Sequence, residues 1–142
     1  MTVEEFRKLI DKTNGKKAAA SEHDLQVACV RKFRLEHPEL GKLLFAIPNG
    51  GQRNEIVAAK LKAEGATSGV PDLMLAVPRG DFHGLWIEMK NGKAGRLSEN
   101  QKEMIALLME QGYATAVCHT TEEFDEVTEI YLNGSNRANR AN

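Results

Sequence analysis

No stretch of this 142-residue chain holds eighteen consecutive apolar residues, and its start lacks the layout of a secretion signal. No membrane partner is therefore expected, and a cytoplasmic protein is. Cysteine is scarce. Cys29 and Cys118 both fall in apolar segments, one on a predicted helix and one on a predicted strand, which suits buried thiols better than a disulfide or a metal pair. The histidines, His23, His37, His83 and His119, show no zinc-ligand spacing. Nor is there an excess of positive charge: 19 Lys and Arg stand against 20 Asp and Glu. A protein coating a polyanion would usually be basic, so any contact with nucleic acid must come from local basic patches. Repeats are absent. The length favours one domain with a sizeable core, and 42% hydrophobic residues with 27% charged is ordinary for a globular protein.

What is present is concentrated in two short segments. Gly69-Val70-Pro71-Asp72 puts a lone acid at the head of an apolar run, Leu73 to Val77. Sixteen positions after Asp72, Trp86-Ile87-Glu88-Met89-Lys90 places an acid and a lysine two apart inside a second apolar run. Side chains two apart on a strand share a face, so Trp86, Glu88 and Lys90 lie together, opposite Leu85, Ile87 and Met89. Pro78 to Gly84 is rich in turn formers and reads as a hairpin connection, which sets the Asp72 and Glu88 strands side by side and antiparallel. Both strands are apolar on each face apart from these charges, as central strands are. Two carboxylates and a lysine are the minimal kit for metal-assisted phosphodiester cleavage. Mg²⁺ takes carboxylate oxygens and leaves positions for water and phosphate, and the lysine can steady the attacking group. The competing reading is structural: Asp72 caps a turn, and Glu88 with Lys90 forms the solvated face of an edge strand.

Two further residues sit at the heads of apolar helical stripes. Gln101, within Ser98-Glu99-Asn100-Gln101, shares a face with Ile105 and Leu108. It either partners a polar group in the site or closes a capping box with Ser98. Glu22 follows Ser21 and precedes Leu25, Cys29 and Phe33. It is either a site carboxylate or an acid favoured by the helix dipole.

Taken together, Glu22, Gly69 to Asp72, Glu88-Met89-Lys90 and Gln101 resemble the VRR-NUC group of the PD-(D/E)xK nuclease superfamily. Ile47 to Gly51, Leu61 to Gly65, His83 to Trp86 and Gly95 to Ser98 look like that group too. The resemblance spans roughly Ser21 to Leu132. It implies an α/β fold with a mixed central sheet flanked by helices, the restriction-endonuclease-like core. It implies a nuclease domain at 21–132; outside the match, the amphipathic pattern of 1–20 reads as a helical extension, and 133–142, which lacks apolar periodicity, as a disordered tail. It also implies catalytic roles for Glu22, Asp72, Glu88, Lys90 and Gln101. Asp72, Glu88 and the backbone carbonyl of Met89 would hold Mg²⁺ or Mn²⁺, with Glu22 joining directly or through water. Lys90 would orient or deprotonate the attacking water, and Gln101 would hold Lys90 or that water. Arg53, Lys60, Lys62, Arg79, Lys93 and Arg96 are the candidate phosphate contacts, led by Lys93 and Arg96, which flank the catalytic strand end.

Members resembling this chain are often compact, stand-alone, phage- or mobile-element-type enzymes acting on branched DNA such as four-way junctions. A two-fold substrate suits a homodimer. Phe6, Leu9 and Ile10, or the apolar faces of the last helix, are available for its interface; the same three residues could instead cap the protein's own core. A catalytically silent nucleic-acid-binding relative and a non-nuclease α/β interaction module are the alternative functions.

The remaining elements follow from periodicity and turn chemistry. Helices are expected at Thr2–Asp11, Ala18–Glu36, Arg53–Glu64, up to Gln111 from Ser98, and Thr121–Leu132. Strands are expected at Leu43–Ile47, Leu73–Val77, around Glu88, and at Tyr113–Cys118.

Overall fold

The computed structural model describes residues 1–11, 21–48, 54–92 and 95–134, with the backbone alone for Arg7, Leu9, Ile10 and Asp11. Among these residues, five α-helices, α1 (Val3–Asp11), α2 (Glu22–Glu36), α3 (Glu55–Ala63), α4 (Glu99–Glu110) and α5 (Thr121–Leu132), surround four strands, β1 (Leu44–Ala46), β2 (Leu73–Leu75), β3 (Leu85–Met89) and β4 (Ala114–Cys118), with a short 3-10 turn at Gly41–Leu43 leading into β1. The sheet order is β1-β2-β3-β4. β1 and β3 run antiparallel to β2, and β4 runs parallel to β3. A meander followed by a helical crossover gives this mixed sheet, as expected from the order of elements.

The alternating pattern decides which face is the core. Leu73, Leu75, Leu85, Ile87, Met89, Ala114, Ala116 and Cys118 are buried together with Leu25, Cys29 and Phe33 of α2 and Phe124, Val127 and Tyr131 of α5. Both thiols are free and buried. Burial, above all, pushes the Cys29 thiol up to about 12 and the Cys118 thiol well above its ordinary value. Neither is a reactive thiolate. α4 lies against β4 and reaches the opposite face, where Glu88 points. β2 and β3, which carry the site, are the inner strands.

Where the observed bounds differ from those expected, a hydrogen bond accounts for it. α2 starts at Glu22 because the Ser21 hydroxyl takes the Asp24 N–H; the expected start at Ala18 lies outside the described residues. α3 starts at Glu55 because the Asn54 side chain takes the Val57 N–H at 2.8 Å. Tyr113 stays out of β4 because its amide closes α4 on Leu108 O. Val77 leaves the β2 ladder, its carbonyl accepting from the buried Tyr131 hydroxyl at 2.6 Å. Around β1, the bonds Ala76 N to Leu43 O and Ile47 N to Asp72 O carry the pairing to the limits of the apolar runs. Of the expected tail, Asn133 caps α5 and Gly134 packs beside Gly80 and Arg79, while 135–142 lie outside the described residues.

Of the three apolar residues of α1 offered either to a dimer interface or to the core, the structure decides for Phe6; the side chains of Leu9 and Ile10 lie outside those described. Phe6 is only 3% exposed and packs on Phe82 and Tyr131, so it seals the protein's own core. The apolar stripe of α5 is likewise buried internally. Among the described residues, no helix is long and apolar enough to cross a membrane.

Candidate active site

The β2–β3 register sets Leu73 opposite Ile87, and one step further it sets Asp72 opposite Glu88. Asp72 Oδ2 accepts the Met89 N–H at 2.7 Å, which fixes that carboxylate against β3. Lys90 Nζ stands 3.6 Å from Glu88 Oε1, with 14% of its side chain exposed. Its backbone is steadied by the bond from Lys90 N to Cys118 O. These groups, with Glu22, Lys62, Ser68, Gly69 and Gln101, line a cleft of about 510 Å³.

Gln101 performs both of its expected alternatives at once. Its Oε1 accepts the Ser98 N–H at 2.9 Å while its own N–H donates to Ser98 Oγ, a complete capping box. Its Nε2 donates to Glu88 Oε1 at 3.0 Å. Because the oxygen is committed to Ser98, the amide nitrogen must face Glu88. The partner is thus Glu88, whereas the sequence suggested Lys90 or a water. Gln101→Ala is therefore expected to lower both the melting temperature and any activity of the site, while Ser98→Ala lowers the melting temperature alone. Loss of the cap is worth about 1 kcal/mol. Calorimetry alongside an activity assay separates the two roles.

Glu88 is the electrostatic centre. It is 3% exposed, and its Oε2 is buried with no hydrogen-bond partner. Burial first, and the neighbouring Asp72 carboxylate second, push the Glu88 carboxyl up to about 8; Glu22 adds a smaller push and Lys90 opposes it. A protonated Glu88 can share its hydrogen with Asp72, whereas two ionised carboxylates repel across the strand pair. Oε1 is occupied by Gln101 and Lys90, so Oε2 is the oxygen left for a ligand.

Among the described residues, no three carboxylate, imidazole or thiol groups stand close enough to cage an ion by themselves. Two carboxylates suffice for Mg²⁺, which is commonly held by one or two of them and completed by waters and phosphate. The orphaned, charge-disfavoured Oε2 beside Asp72 is what such a cation would satisfy. Glu22 is exposed at the rim of the cleft, a position suited to contact through water.

The expected phosphate contacts divide. Lys62 lines the cleft from α3. Lys60 and Arg96 are exposed but are not among the lining residues. Arg79 is on the hairpin connection at the far end of β2 from Asp72, where it donates to Leu132 O and Pro78 O, so the fold does not bring it to the cleft. Arg53 and Lys93 lie outside the described residues, as do Asn49, Gly50 and Gly51. Gly69, at the head of the Gly69-Val70-Pro71-Asp72 motif, lines the cleft as well, and so does Ser68, which nothing in the sequence marks beyond its place just before that motif.

The mixed sheet flanked by helices is a restriction-endonuclease-like α/β fold. A model of the VRR-NUC domain matches residues 20–122, and the chain belongs to the VRR-NUC domain family. A solved structure described as a VRR_NUC domain protein is similar at 26% identity and a TM-score of 0.73, over 83% of this chain and 93% of the other. No curated protein matches. A nuclease-type function follows from the family.

Proposed function

We propose that the protein is a Mg²⁺- or Mn²⁺-dependent endonuclease that hydrolyses phosphodiester bonds in DNA, acting as a homodimer on branched substrates. The observation that carries this is the buried Glu88 Oε2, unpartnered beside Asp72 in a cleft that also presents Lys90. Asp72, Glu88 and the Met89 carbonyl would hold the ion, with Glu22 joining directly or through water. Bound there, it would lower the pKa of a water and offset charge on the phosphate. Lys90 orients the attacking water or takes its proton. Gln101 keeps Glu88 Oε1 turned inward, and Lys62 contacts a flanking phosphate. Free, buried thiols suit work in a reducing cytoplasm.

Homodimer and branched DNA belong together. One site cuts one strand, and a four-way junction is two-fold, so paired cuts call for two sites about a two-fold axis. With Phe6 and the α5 stripe committed to the core, the apolar surface left for a second copy includes the groove on α2 lined by Val27, Val30, Leu35 and Ala46.

The test is cleavage of labelled linear, flap and four-way-junction DNA under Mg²⁺ or Mn²⁺ titration, with light scattering at micromolar concentration. Metal-dependent cutting that favours the junction, and a mass near twice 15.7 kDa, are expected. Binding without cleavage at any metal concentration would make the protein a silent relative. A monomer that cuts linear duplex as readily as a junction would remove the branched-DNA reading.

A further inference from the structure

Glu88 is approached from two separate pieces of chain, Asp72 from the loop beginning at Ser68 and Gln101 from the first turn of α4. Those two pieces are joined directly. Asn100 Nδ2 donates to Ser68 Oγ at 3.0 Å. Next to that bond, Gly69 adopts φ +91°. A Cβ built on it would fall 2.3 Å from the Asn100 carbonyl oxygen, 2.6 Å from its carbonyl carbon and 3.0 Å from Gln101 N. All three are backbone atoms of a capped helical turn, which cannot swing aside as a side chain would. Both the backbone conformation and the approach therefore require glycine.

Each piece also has an anchor of its own. α4 is already capped by Ser98 and Gln101, and Asp72 is already anchored to Met89 N. What the contact sets is the height of the first turn of α4 over β3, and with it the reach of Gln101. A 3.0 Å bond from Nε2 to Glu88 Oε1 does not survive a displacement of about 1 Å. Once it is lost, Lys90 remains beside Oε1 but the directional bond to it is gone, and the aim of Oε2 loosens.

We infer that Gly69 and Asn100 are positioning residues for cleavage, acting through Gln101. Only the kinetic consequence rests on the nuclease reading. The coupling to Gln101 is a statement about the resting protein and is tested separately.

The experiment compares Gly69→Ala and Asn100→Ala, each alone and combined with Gln101→Ala. The first readout is the ¹⁵N–¹H spectrum of the Gln101 side-chain amide, assigned by its disappearance in Gln101→Ala. In both single variants its two proton signals are expected to move toward the positions of a solvent-exposed carboxamide. The second readout is steady-state cleavage. Gly69→Ala should lower kcat by about tenfold to a hundredfold and Asn100→Ala by about threefold, with KM for DNA changed by less than about twofold. Neither should add to the loss caused by Gln101→Ala.

An unmoved Gln101 amide in both variants would overturn the inference, as would an equal loss of kcat in the Gln101→Ala background. If Gly69→Ala does not fold, Asn100→Ala, at an exposed position, decides alone. If the wild-type protein cuts no nucleic acid, the nuclease reading fails while the amide spectrum still decides the coupling.

Discussion

Glu88→Gln is expected to abolish cleavage and to stabilise the metal-free protein above neutral pH. The carboxyl is raised to about 8 in the fold from an ordinary 4.5, chiefly by burial and then by Asp72. A folded-state pKa above the unfolded one means that the native protein holds more protons between those two values. Stability from this group is thus fully present below about pH 4.5 and is lost as pH rises through about 8. Glutamine keeps the acceptor for Gln101 and can donate to Asp72 as a protonated Glu88 would, but it never ionises. Melting curves of the metal-free wild type should therefore fall between pH 5 and pH 8 by an amount on the order of a few kcal/mol, while those of Glu88→Gln stay level. Adding Mg²⁺ should lift the wild-type curve at pH 8 and leave the variant unmoved, since a ligand stabilises only the state that binds it. Cleavage should drop by about a thousandfold or more. A variant that still cuts at near wild-type rate, or that melts lower than wild type at pH 8, would show Glu88 to be a structural ion-pair partner.

The site was legible in the sequence to the extent that it depends on local alternation. Two-residue periodicity puts Glu88 and Lys90 on one face, the Pro78–Gly84 turn brings Asp72 beside them, and the observed register agrees. Element order gave the mixed sheet for the same reason, since each strand and helix announces itself within ten residues. What could not be read is whatever depends on the relative height of elements distant in sequence. The bond from Gln101 to Glu88 needs α4 seated at one particular level over β3, and no periodicity encodes that level. The same holds for Arg79: a basic residue near the two acids in sequence ends at the opposite end of β2, because a hairpin connection lies at the far end of the strand from its first residue. Phe6 shows a third kind of limit. An amphipathic helix looks the same whether its apolar face meets its own core or another copy, and only the placement of Phe82 and Tyr131 settles it. At α3 the signal is local and lies in Asn54, a residue type that favours the N-cap, so the helix begins after it and not at Arg53.

Lys90→Ala should cost about a hundredfold to a thousandfold in cleavage rate with metal affinity changed only severalfold. Two consequences of losing the ammonium oppose each other at the metal. Glu88 loses a cation that lowers its pKa, so a proton competes harder for its carboxylate; a positive charge 3.6 Å from Oε1 is also removed, which eases the entry of another. Calorimetric titration with Mg²⁺ should therefore find the binding nearly intact while turnover collapses, the pattern of a group whose contribution is made in the transition state. Lys90→Arg then separates the two roles open to the lysine. Arginine keeps the positive charge but does not release its proton near neutral pH. If Lys90 only steadies the water or the phosphate charge, arginine should retain a substantial part of the rate. If Lys90 takes the proton from the attacking water, arginine should be as inactive as alanine. A wild-type rate from Lys90→Ala would remove the lysine from the chemistry and leave its 14% exposed side chain as packing against the buried acid.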